Sequence, residues 1–315
     1  MNSIVSESIE ELITNLKSHQ SVQDKIQIAR THETIGDEVL LNNSDGPVAI
    51  GDDCAAIPDG HGDHLLFAAE GIVPSFIEQD PWFAGYSAVM VNISDVCAMG
   101  GLPIAVTDVI WAKDSSDSKE LWKGMKAASE AYGVPIVGGH TCYDSDKKHL
   151  SVSILGKAKS LITSYDVQSG DQLIYAVDLN GAYYKEYPFW NASTSSSSEI
   201  LKEKMKVPYE LANESLCKAG KDVSMGGLLG TLQMLVHTAK LGAEVDLDKI
   251  PTVDNDLLRW LLAFPSYGYL LAVKKENTDK VIAKFQDVGV TAAAIGEFIQ
   301  EPEIYVFQKD QKVKF

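Results

Sequence analysis

The chain has 315 residues, 45% of them hydrophobic, which is enough for two domains with separate cores. Its 44 acidic and 27 basic side chains give a formal net charge of -17, and this excess argues against nucleic acid or an anionic membrane as the main partner. The four cysteines show no C-x-x-C spacing and the N-terminus has no long apolar run, so we expect a cytoplasmic protein without a signal peptide or membrane span.

Helices and strands are predicted to alternate along the first half of the chain. A helix is expected in SESIEELITNLKSH, where apolar residues recur at helical spacing and Ser8 with Glu11 has the form of a capping box. Short apolar segments bounded by glycine or proline are typical of strands, and they occur in PVAI, HLLFAAEGIV, LPIAVTDVIW, VPIVGGHT and LSVSILGKA. A further helix is predicted in SSDSKELWKGMKAASEAYG.

One long helix of the first half is nearly apolar. In DPWFAGYSAVMVNISDVCAMGG, Asp80 can cap the helix, Pro81 suits its first position, and a glycine pair ends it. Asn92 and Asp95 interrupt the apolar pattern, and they lie on one face because they are three residues apart. Burying them unsatisfied costs about 1 to 3 kcal/mol each. A backbone group, a water molecule or a metal ion is therefore expected as their partner.

The pattern pauses around SLITSYDVQSGD, which predicts two domains, 1–162 and 163–315. The second half alternates again, with strands in QLIYAVDL, AEVDL, GYLLAV, TAAAIGEF and EIYVF and helices in PYELANESLCKAG, from DVSMGGLLG to about Lys240, in VDNDLLRWLLAF and in NTDKVIAKFQDVG. The serine tract STSSSS is expected to be a flexible loop. This alternation predicts an α+β fold with α/β-like order in both halves.

The segment GDDCAAI places Asp52 and Asp53 side by side after Gly51. A solvated turn explains the pair, because aspartate favours turns by bonding its own backbone. A divalent cation is the alternative, because adjacent carboxylates repel and Mg2+ binds one or two carboxylates together with substrate phosphates. The residues by themselves leave both interpretations open.

A glycine pair also ends the strand VPIVGGHT. Gly138 and Gly139 there would let a phosphate approach the backbone, although a tight turn explains them equally well. His140 follows them and could orient a phosphate or accept a proton, although a lone histidine after a strand is more often simply hydrogen-bonded.

The second half contains a comparable segment, DVSMGGLLG. Asp222 precedes Gly226 and Gly227 at the start of a predicted helix, where exposed N–H groups favour an anion. Helix capping by Ser224 is the structural alternative.

Taken in chain order, GDDCAAI, AAEGIVPSF, NISDVCAMGGLP, VGGHT, DVSMGGLLG and FPSYGYLLAV with AAAIGEF resemble the motifs of the aminoimidazole-ribonucleotide (AIR) synthetase superfamily. That superfamily includes the purine cyclo-ligase, thiamine-monophosphate kinase, selenophosphate synthetase and the hydrogenase maturation factor HypE. The string N-[IL]-S-D-x-x-A-M-G-[GA]-x-P is specific, and the resemblance covers nearly the whole chain.

The resemblance implies a two-domain α+β fold and a homodimer. The N-terminal halves of two copies would form a shared β-barrel, and each C-terminal half would form an α+β sandwich. It also implies an enzyme that uses ATP and Mg2+, bound between the halves, to transfer the γ-phosphoryl group to a small-molecule acceptor. Neither nucleic acid nor a membrane is an expected partner.

The resemblance further implies roles for individual residues. The implied metal ligands are Asp52, Asp53, Glu70, Asn92, Asp95 and Asp222; the implied nucleotide-binding residues are Lys25, Gly51, Asn92, Gly138, Gly139, Gly226 and Gly227; the implied catalytic residues are Asp53, Asp95 and His140. Lys113 and Lys221 are further candidates for phosphate contacts, or are surface lysines.

Departures from the related enzymes leave the acceptor open. Glu70 stands where the family has a metal-binding aspartate, and Met225 replaces a carboxylate of the thiamine kinase pattern D-x-S-D-G-L. The reactive cysteine of selenophosphate synthetase and the cysteine tail of HypE have no counterpart in the sequence. A thiamine kinase-like or selenophosphate synthetase-like activity and a degenerate, nucleotide-binding dimeric regulator are the alternatives to an enzyme with its own acceptor.

Overall fold

The computed structural model of the chain describes residues 8–35 and 51–315. Contacts divide them into two compact units, which we describe separately. The N-unit comprises residues 51–162 and 195–214, and the C-unit comprises residues 8–35, 163–194 and 215–315. Within the described ranges, no helix combines the length and the apolar character that crossing a membrane requires.

The α-helices of these ranges are, in chain order, α1 (Ile9–Ser18), α2 (Gln20–Ile35), α3 (Pro74–Gln79), α4 (Pro81–Ala98), α5 (Lys119–Tyr132), α6 (Ser198–Asn213), α7 (Gly227–Ala239), α8 (Leu257–Leu261) and α9 (Thr278–Gln286). The strands are β1 (Ala55–Pro58), β2 (His64–Gly71), β3 (Leu102–Trp111), β4 (Ile136–Cys142), β5 (His149–Ala158), β6 (Gln172–Val177), β7 (Ala182–Tyr183), β8 (Phe189–Asn191), β9 (Ala219–Asp222), β10 (Gly242–Asp246), β11 (Phe264–Pro265), β12 (Gly268–Val273), β13 (Thr291–Ile299), β14 (Ile304–Gln308) and β15 (Gln311–Lys314).

The core of the N-unit lies between a five-stranded sheet and the helices on one of its faces. The strand order is β1-β2-β5-β3-β4, and all neighbours are antiparallel except β3 and β4. Helix α4 contacts β2, β5 and β3, and α5 and α6 pack against α4. Gly101 and Gly156 have no side chain where Val96 of α4 packs, so the helix approaches the sheet closely.

Helix α4 begins and ends where the sequence predicts. Asp80 Oδ1 accepts a hydrogen bond from Phe83 N–H at 3.2 Å and caps the helix, and the predicted apolar stripe is buried. The helix therefore carries Asn92 and Asp95 into the core of the N-unit.

The C-unit is built on a seven-stranded sheet with the order β15-β14-β10-β13-β6-β12-β9. Helix α7 contacts β9, β10 and β12, α2 packs on α7, and α1 contacts α8 and β15. The apolar face of α1 is buried, and Ser8 Oγ accepts a hydrogen bond from Glu11 N–H at 3.2 Å. The predicted helix and its serine cap are confirmed.

The predicted strands have the expected type, and β3 spans the whole of LPIAVTDVIW. The strand predicted in PVAI lies outside the described residues. The mixed helix and strand content of both units confirms the α+β class, with five strands in one main sheet and seven in the other.

The serine tract and the helix after it differ from the prediction. Helix α6 begins at Ser198, inside the tract, because Ser197 Oγ accepts a hydrogen bond from Ile200 N–H at 3.4 Å and caps it. It ends at Asn213, so the predicted extension through CKAG is wrong. The tract is therefore not simply a flexible loop.

Two further helices also depart from the prediction. The patterns predict no element for SVQDKIQIA, which lies in α2, a helix whose packing on α7 compensates for its weak amphipathic pattern. The long helix predicted in VDNDLLRWLLAF is only the short α8, capped by Asp256, which accepts a hydrogen bond from Arg259 N–H at 3.0 Å.

The contact-based units draw on both predicted halves. Helices α1 and α2 group with the C-unit, although they come from the first half of the chain, and α6 groups with the N-unit. Helix α6 packs on α4 and α5, and Ser198 Oγ donates a hydrogen bond to Ala131 O at 2.6 Å. Helices can thus join a unit formed by a distant part of the chain.

Helices α4 and α5 meet at two glycines. A Cβ at Gly124 would overlap the Trp82 carbonyl oxygen, and a Cβ at Gly85 would overlap the Leu121 carbonyl oxygen. The two backbones are therefore in direct contact.

We predict that Gly124→Ala lowers the free energy of unfolding of the protein by about 2 kcal/mol or more, because the added methyl group forces α5 away from α4. This loss should exceed the gain of about 1 kcal/mol that alanine brings to a helix interior. Urea denaturation followed by circular dichroism measures it. Gly230→Ala in α7 is the control, because a Cβ there makes ordinary contacts at 3.8 Å. Equal stability of the two variants would contradict the glycine contact.

Candidate functional site

The GDD motif forms a turn that leads into β1 of the N-unit. Gly51 has a φ of 109°, a backbone conformation that glycine tolerates without strain. Asp52 Oδ1 accepts a hydrogen bond from Asp53 N–H at 3.0 Å, so Asp52 stabilises the turn. Cys54 N–H donates to Met99 Sδ at 3.1 Å, and this contact holds the turn against the end of α4.

Asn92 and Asp95 occupy one face of α4, as predicted. Asn92 is 0% exposed, and its Nδ2 donates a hydrogen bond to Ala88 O at 2.7 Å. Its Oδ1 is buried and has no hydrogen-bond partner in the described part of the chain. Asp95, 7% exposed, follows one turn later. The backbone thus satisfies only one end of the Asn92 amide, and the carbonyl oxygen is left as a possible ligand atom.

Asp53 and Asp95 come together in the N-unit. A carboxylate oxygen of one lies within 4.8 Å of a carboxylate oxygen of the other. Two negative charges at this separation repel by about 3 kcal/mol at an effective dielectric constant of about 20. A divalent cation between them would remove this repulsion, and oxygen atoms are the ligands that Mg2+ prefers. The turn and the helix therefore form a candidate cation site.

Glu70 lies near the end of β2. Because β1 and β2 are antiparallel, the end of β2 and the start of β1 are at the same end of this strand pair, where the GDD turn also lies. Glu70 itself is exposed. Among the described residues, it does not belong to the group of close carboxylates that contains Asp53 and Asp95.

The predicted phosphate-binding glycines lie in β4, the edge strand of the sheet. Gly138 and Gly139 are both exposed, and a Cβ at Gly138 would meet nothing within 4 Å. A Cβ at Gly139 would overlap Asp108, so glycine is needed there to make room for a side chain of β3. His140 pairs with Val109, on the opposite face of the sheet from Asp108.

Asp108 is a buried carboxylate of the N-unit that the sequence analysis did not single out. It is 3% exposed in β3, and neither of its carboxylate oxygens has a hydrogen-bond partner among the described residues. Burial raises the pKa of its carboxyl group to about 6. The sequence does contain a signal for Asp108, because it is the one charged residue of the predicted strand LPIAVTDVIW. Asp95 was singled out for the same reason, as a charged residue in an apolar helix.

The predicted residues of the C-unit gather around the start of α7. Lys25 Nζ, in α2, donates a hydrogen bond to Ser224 Oγ at 2.6 Å. Ser224 is therefore not the cap of α7, which begins after Gly226 without a side-chain cap. Lys25 Cγ lies 3.4 Å from the position of a Cβ on Gly226. An ammonium group and an uncapped helix start thus lie side by side, an arrangement that suits an anion.

Packing by itself accounts for another glycine of this segment. Gly227 has a φ of 65°, and a Cβ there would overlap the Leu261 carbonyl oxygen.

The remaining predicted residues differ in exposure. Asp222 ends β9 and is buried, and Lys221 before it is also buried. Lys113, in the N-unit, is exposed.

Comparisons with known proteins identify the family. Residues 51–158 match the AIR synthase related protein N-terminal domain, and residues 169–309 match the AIR synthase related protein C-terminal domain. An uncharacterized protein of Synechocystis sp. is 50% identical over 262 residues, which cover 82% of this chain and 81% of that protein.

Two solved structures have a similar fold. T. maritima PurL complexed with ATP matches 87% of this chain with a TM-score of 0.72 at 20% identity, and the chain spans 46% of that protein, about half of its length. AaThiL complexed with AMPPCP and TMP matches 91% of this chain and 93% of its own, with a TM-score of 0.66 at 20% identity. The two domain matches together cover most of the sequence, and the chain therefore belongs to the AIR synthase related protein family.

Proposed function

We propose that this protein is an ATP- and Mg2+-dependent phosphotransferase or ligase that transfers the γ-phosphoryl group of ATP to a small-molecule acceptor. The close approach of the Asp53 and Asp95 carboxylates carries the proposal, together with the buried Asn92 Oδ1 that has no hydrogen-bond partner in the described residues. These hard oxygen donors suit Mg2+, which is commonly bound by one or two carboxylates and by substrate phosphates.

The nucleotide assignment has two kinds of support. T. maritima PurL binds ATP and AaThiL binds AMPPCP, and both have the fold of this chain. Within the C-unit, Lys25 and the uncapped start of α7 offer an ammonium group and backbone N–H groups to an anion. We therefore assign phosphate contacts to Lys25, Gly226 and Gly227, and to Gly51, Gly138 and Gly139 in the N-unit.

Phosphoryl transfer requires positioning and charge neutralisation more than covalent chemistry by the protein. In our proposal Asp52, Asp53, Glu70, Asn92, Asp95 and Asp222 hold Mg2+, which when bound offsets negative charge on the phosphate oxygens. The carboxylates of Asp53 and Asp95, which lie close together, would both bind this ion. His140 would accept a proton from the acceptor. Because His140 lies on the outer face of the sheet, we propose that it serves a site completed by a second copy of the chain.

We predict that Asp95→Asn weakens Mg2+-dependent ATP binding by about 10- to 100-fold or more, because a ligand charge is removed. Isothermal titration calorimetry with ATP and MgCl2 measures the loss, and EDTA should reproduce it in the wild type. The variant should remain folded, since it also relieves the repulsion with Asp53. Asp144→Asn is the matched control, because Asp144 is an exposed carboxylate of the same unit.

Unchanged Mg2+-ATP binding by Asp95→Asn would refute the metal site. Tight Mg2+-ATP binding by the wild type without hydrolysis or transfer, across a panel of phosphorylated and carboxamide metabolites, would favour the dimeric regulator instead. The replacement of a family carboxylate by the exposed Met225 is the observation in favour of that second function.

We also propose that the outer face of the N-unit sheet joins a second copy of the chain. Phe67 of β2 and Leu155 of β5 are directly opposite each other on this face and are 51% and 37% exposed. Ile104 and Val137 are further large apolar side chains exposed in the same unit. Apolar patches of this kind mark protein–protein contacts, and two such sheets face to face would form the expected barrel.

We predict that the wild type sediments at about twice its chain mass of 34.3 kDa and that Phe67→Asp shifts it to the monomer. The charge should disrupt the interface because it would be buried without a partner. Analytical ultracentrifugation measures both masses. Val253→Asp is the control, because Val253 is an equally exposed apolar residue of the C-unit. A wild-type monomer, or a dimer that Phe67→Asp leaves intact, would exclude this interface.

A further inference from the structure

Met99 ends the helix that carries Asp95, and its side chain reaches the turn that carries Asp53. It is the C-cap residue of α4, and its N–H donates a hydrogen bond to Asp95 O at 3.3 Å. Its Sδ accepts a hydrogen bond from Cys54 N–H, directly after Asp53, at 3.1 Å. A single residue therefore connects the two backbone segments that carry the carboxylates of the candidate cation site.

The position of Met99 is itself fixed within the N-unit. Its carbonyl oxygen accepts a hydrogen bond from Ile162 N–H at 3.2 Å, just beyond the end of β5. The next residue, Gly100, has a φ of 72°, and a Cβ there would lie 3.1 Å from the Ser160 carbonyl oxygen. Met99 is only 2% exposed. Its sulfur atom is thus held at a defined place beside the GDD turn.

The hydrogen bond to sulfur restricts the direction of the Asp53 side chain. Cys54 N–H belongs to the planar peptide unit that begins at the Asp53 carbonyl carbon, so a contact that fixes this unit also fixes the ψ angle of Asp53. On the other side, Asp53 N–H donates a hydrogen bond to Asp52 Oδ1 at 3.0 Å. Both peptide units that flank Asp53 are therefore held.

This contact acts against an electrostatic repulsion. Carboxylate oxygens of Asp53 and Asp95 lie within 4.8 Å of each other, and two like charges at that separation push the turn away from the helix. Movement of the turn would take Cys54 N–H away from its acceptor, and Cys54 is only 4% exposed. Because a buried N–H without an acceptor is unfavourable, the sulfur contact keeps the turn on the helix.

We propose that Met99 is a positioning residue, which holds Asp53 next to Asp95 so that the cation site is assembled before Mg2+ binds. This inference rests on the proposed function, because it concerns the assembly of that same site. The role belongs to the thioether sulfur as a hydrogen-bond acceptor, and the volume of the side chain does not explain it. A preassembled site binds its ligand more tightly, since binding does not have to draw the two carboxylates together.

Methionine suits this position because it combines an acceptor with an apolar side chain. The sulfur accepts a hydrogen bond weakly, and the rest of the side chain packs in the core without polar atoms that need partners. Glutamine would supply a stronger acceptor, but its NH2 group would be buried as well. Leucine would pack equally well and would supply no acceptor. The two substitutions therefore separate the hydrogen bond from the packing.

The first measurement is the MgCl2 concentration that half-saturates ATP binding, obtained by calorimetry at stepped MgCl2 concentrations. We expect Met99→Leu to raise this concentration by about 10-fold, because loss of a residue that orients a metal ligand weakens metal binding. At saturating MgCl2 it should bind ATP as the wild type does, since every assigned ligand atom remains. Met125→Leu is the matched control and should change neither value, because Met125 is a fully buried methionine of α5 in the same unit.

Met99→Gln gives the second comparison. Its thermal midpoint should lie below that of Met99→Leu, because the buried NH2 group lacks partners. Its MgCl2 requirement should nevertheless be at least about 3-fold lower than that of Met99→Leu, because the amide oxygen can accept the Cys54 N–H. A residue that only fills the core would rank leucine above glutamine in both measurements. That result would overturn the proposal.

Hydrogen exchange tests the sulfur contact in the absence of nucleotide and metal. The amide of Cys54, followed by mass spectrometry of the peptide that contains it, should exchange faster in Met99→Leu than in the wild type or in Met125→Leu. Equal exchange in all three proteins would mean that the sulfur does not hold the turn, and would overturn the inference.

The two kinds of measurement distinguish this inference from the proposed function. If the wild type fails to bind Mg2+-ATP, the proposed function fails and the positioning role fails with it, whatever hydrogen exchange shows at Cys54. If the wild type binds Mg2+-ATP and Met99→Leu needs no more MgCl2 than the wild type does, only the positioning role of Met99 is wrong. A higher MgCl2 requirement together with faster exchange at Cys54 supports both.

Discussion

The burial of α4 against the five-stranded sheet of the N-unit is the constraint on which the rest of that unit depends. The helix can lie close to the sheet because Gly101 and Gly156 make room for Val96, and close to α5 because Gly85 and Gly124 bring the two backbones into contact. This close packing fixes where the helix lies against the sheet. Asn92 and Asp95 are therefore buried at defined positions, which suits a site that must position charge.

Several polar groups in and beside the core of the N-unit lower the stability of the fold. The Asn92 carbonyl oxygen and the Asp108 carboxylate are buried without hydrogen-bond partners in the described residues, and Asp53 and Asp95 bring two negative charges together. Each arrangement costs free energy in the absence of a ligand, and apolar substitutes of similar size would pack without that cost. Such costs concentrate at functional sites, where a cation or a substrate supplies the missing partner.

Sequence reasoning identified the elements whose signals are local. The cap at Asp80, the long apolar run of α4 and the strand LPIAVTDVIW all result from short-range preferences, and the structure contains them at the predicted positions. It failed where tertiary packing overrides local preference. Helix α6 begins inside a serine tract because its apolar face is buried against α4 and α5, and α2 forms although its amphipathic pattern is weak.

The sequence by itself determined the family, the α+β class and the residue types of the candidate site, because motif order and periodicity are properties of the linear chain. Only the tertiary structure decided which of those residues meet. It brought Asp53 to Asp95 and Lys25 to Ser224, and it revealed Asp108 beside Gly139 as a buried carboxylate that has no hydrogen-bond partner among the described residues. Distances between residues far apart in sequence depend on strand register and helix packing, which no local pattern encodes.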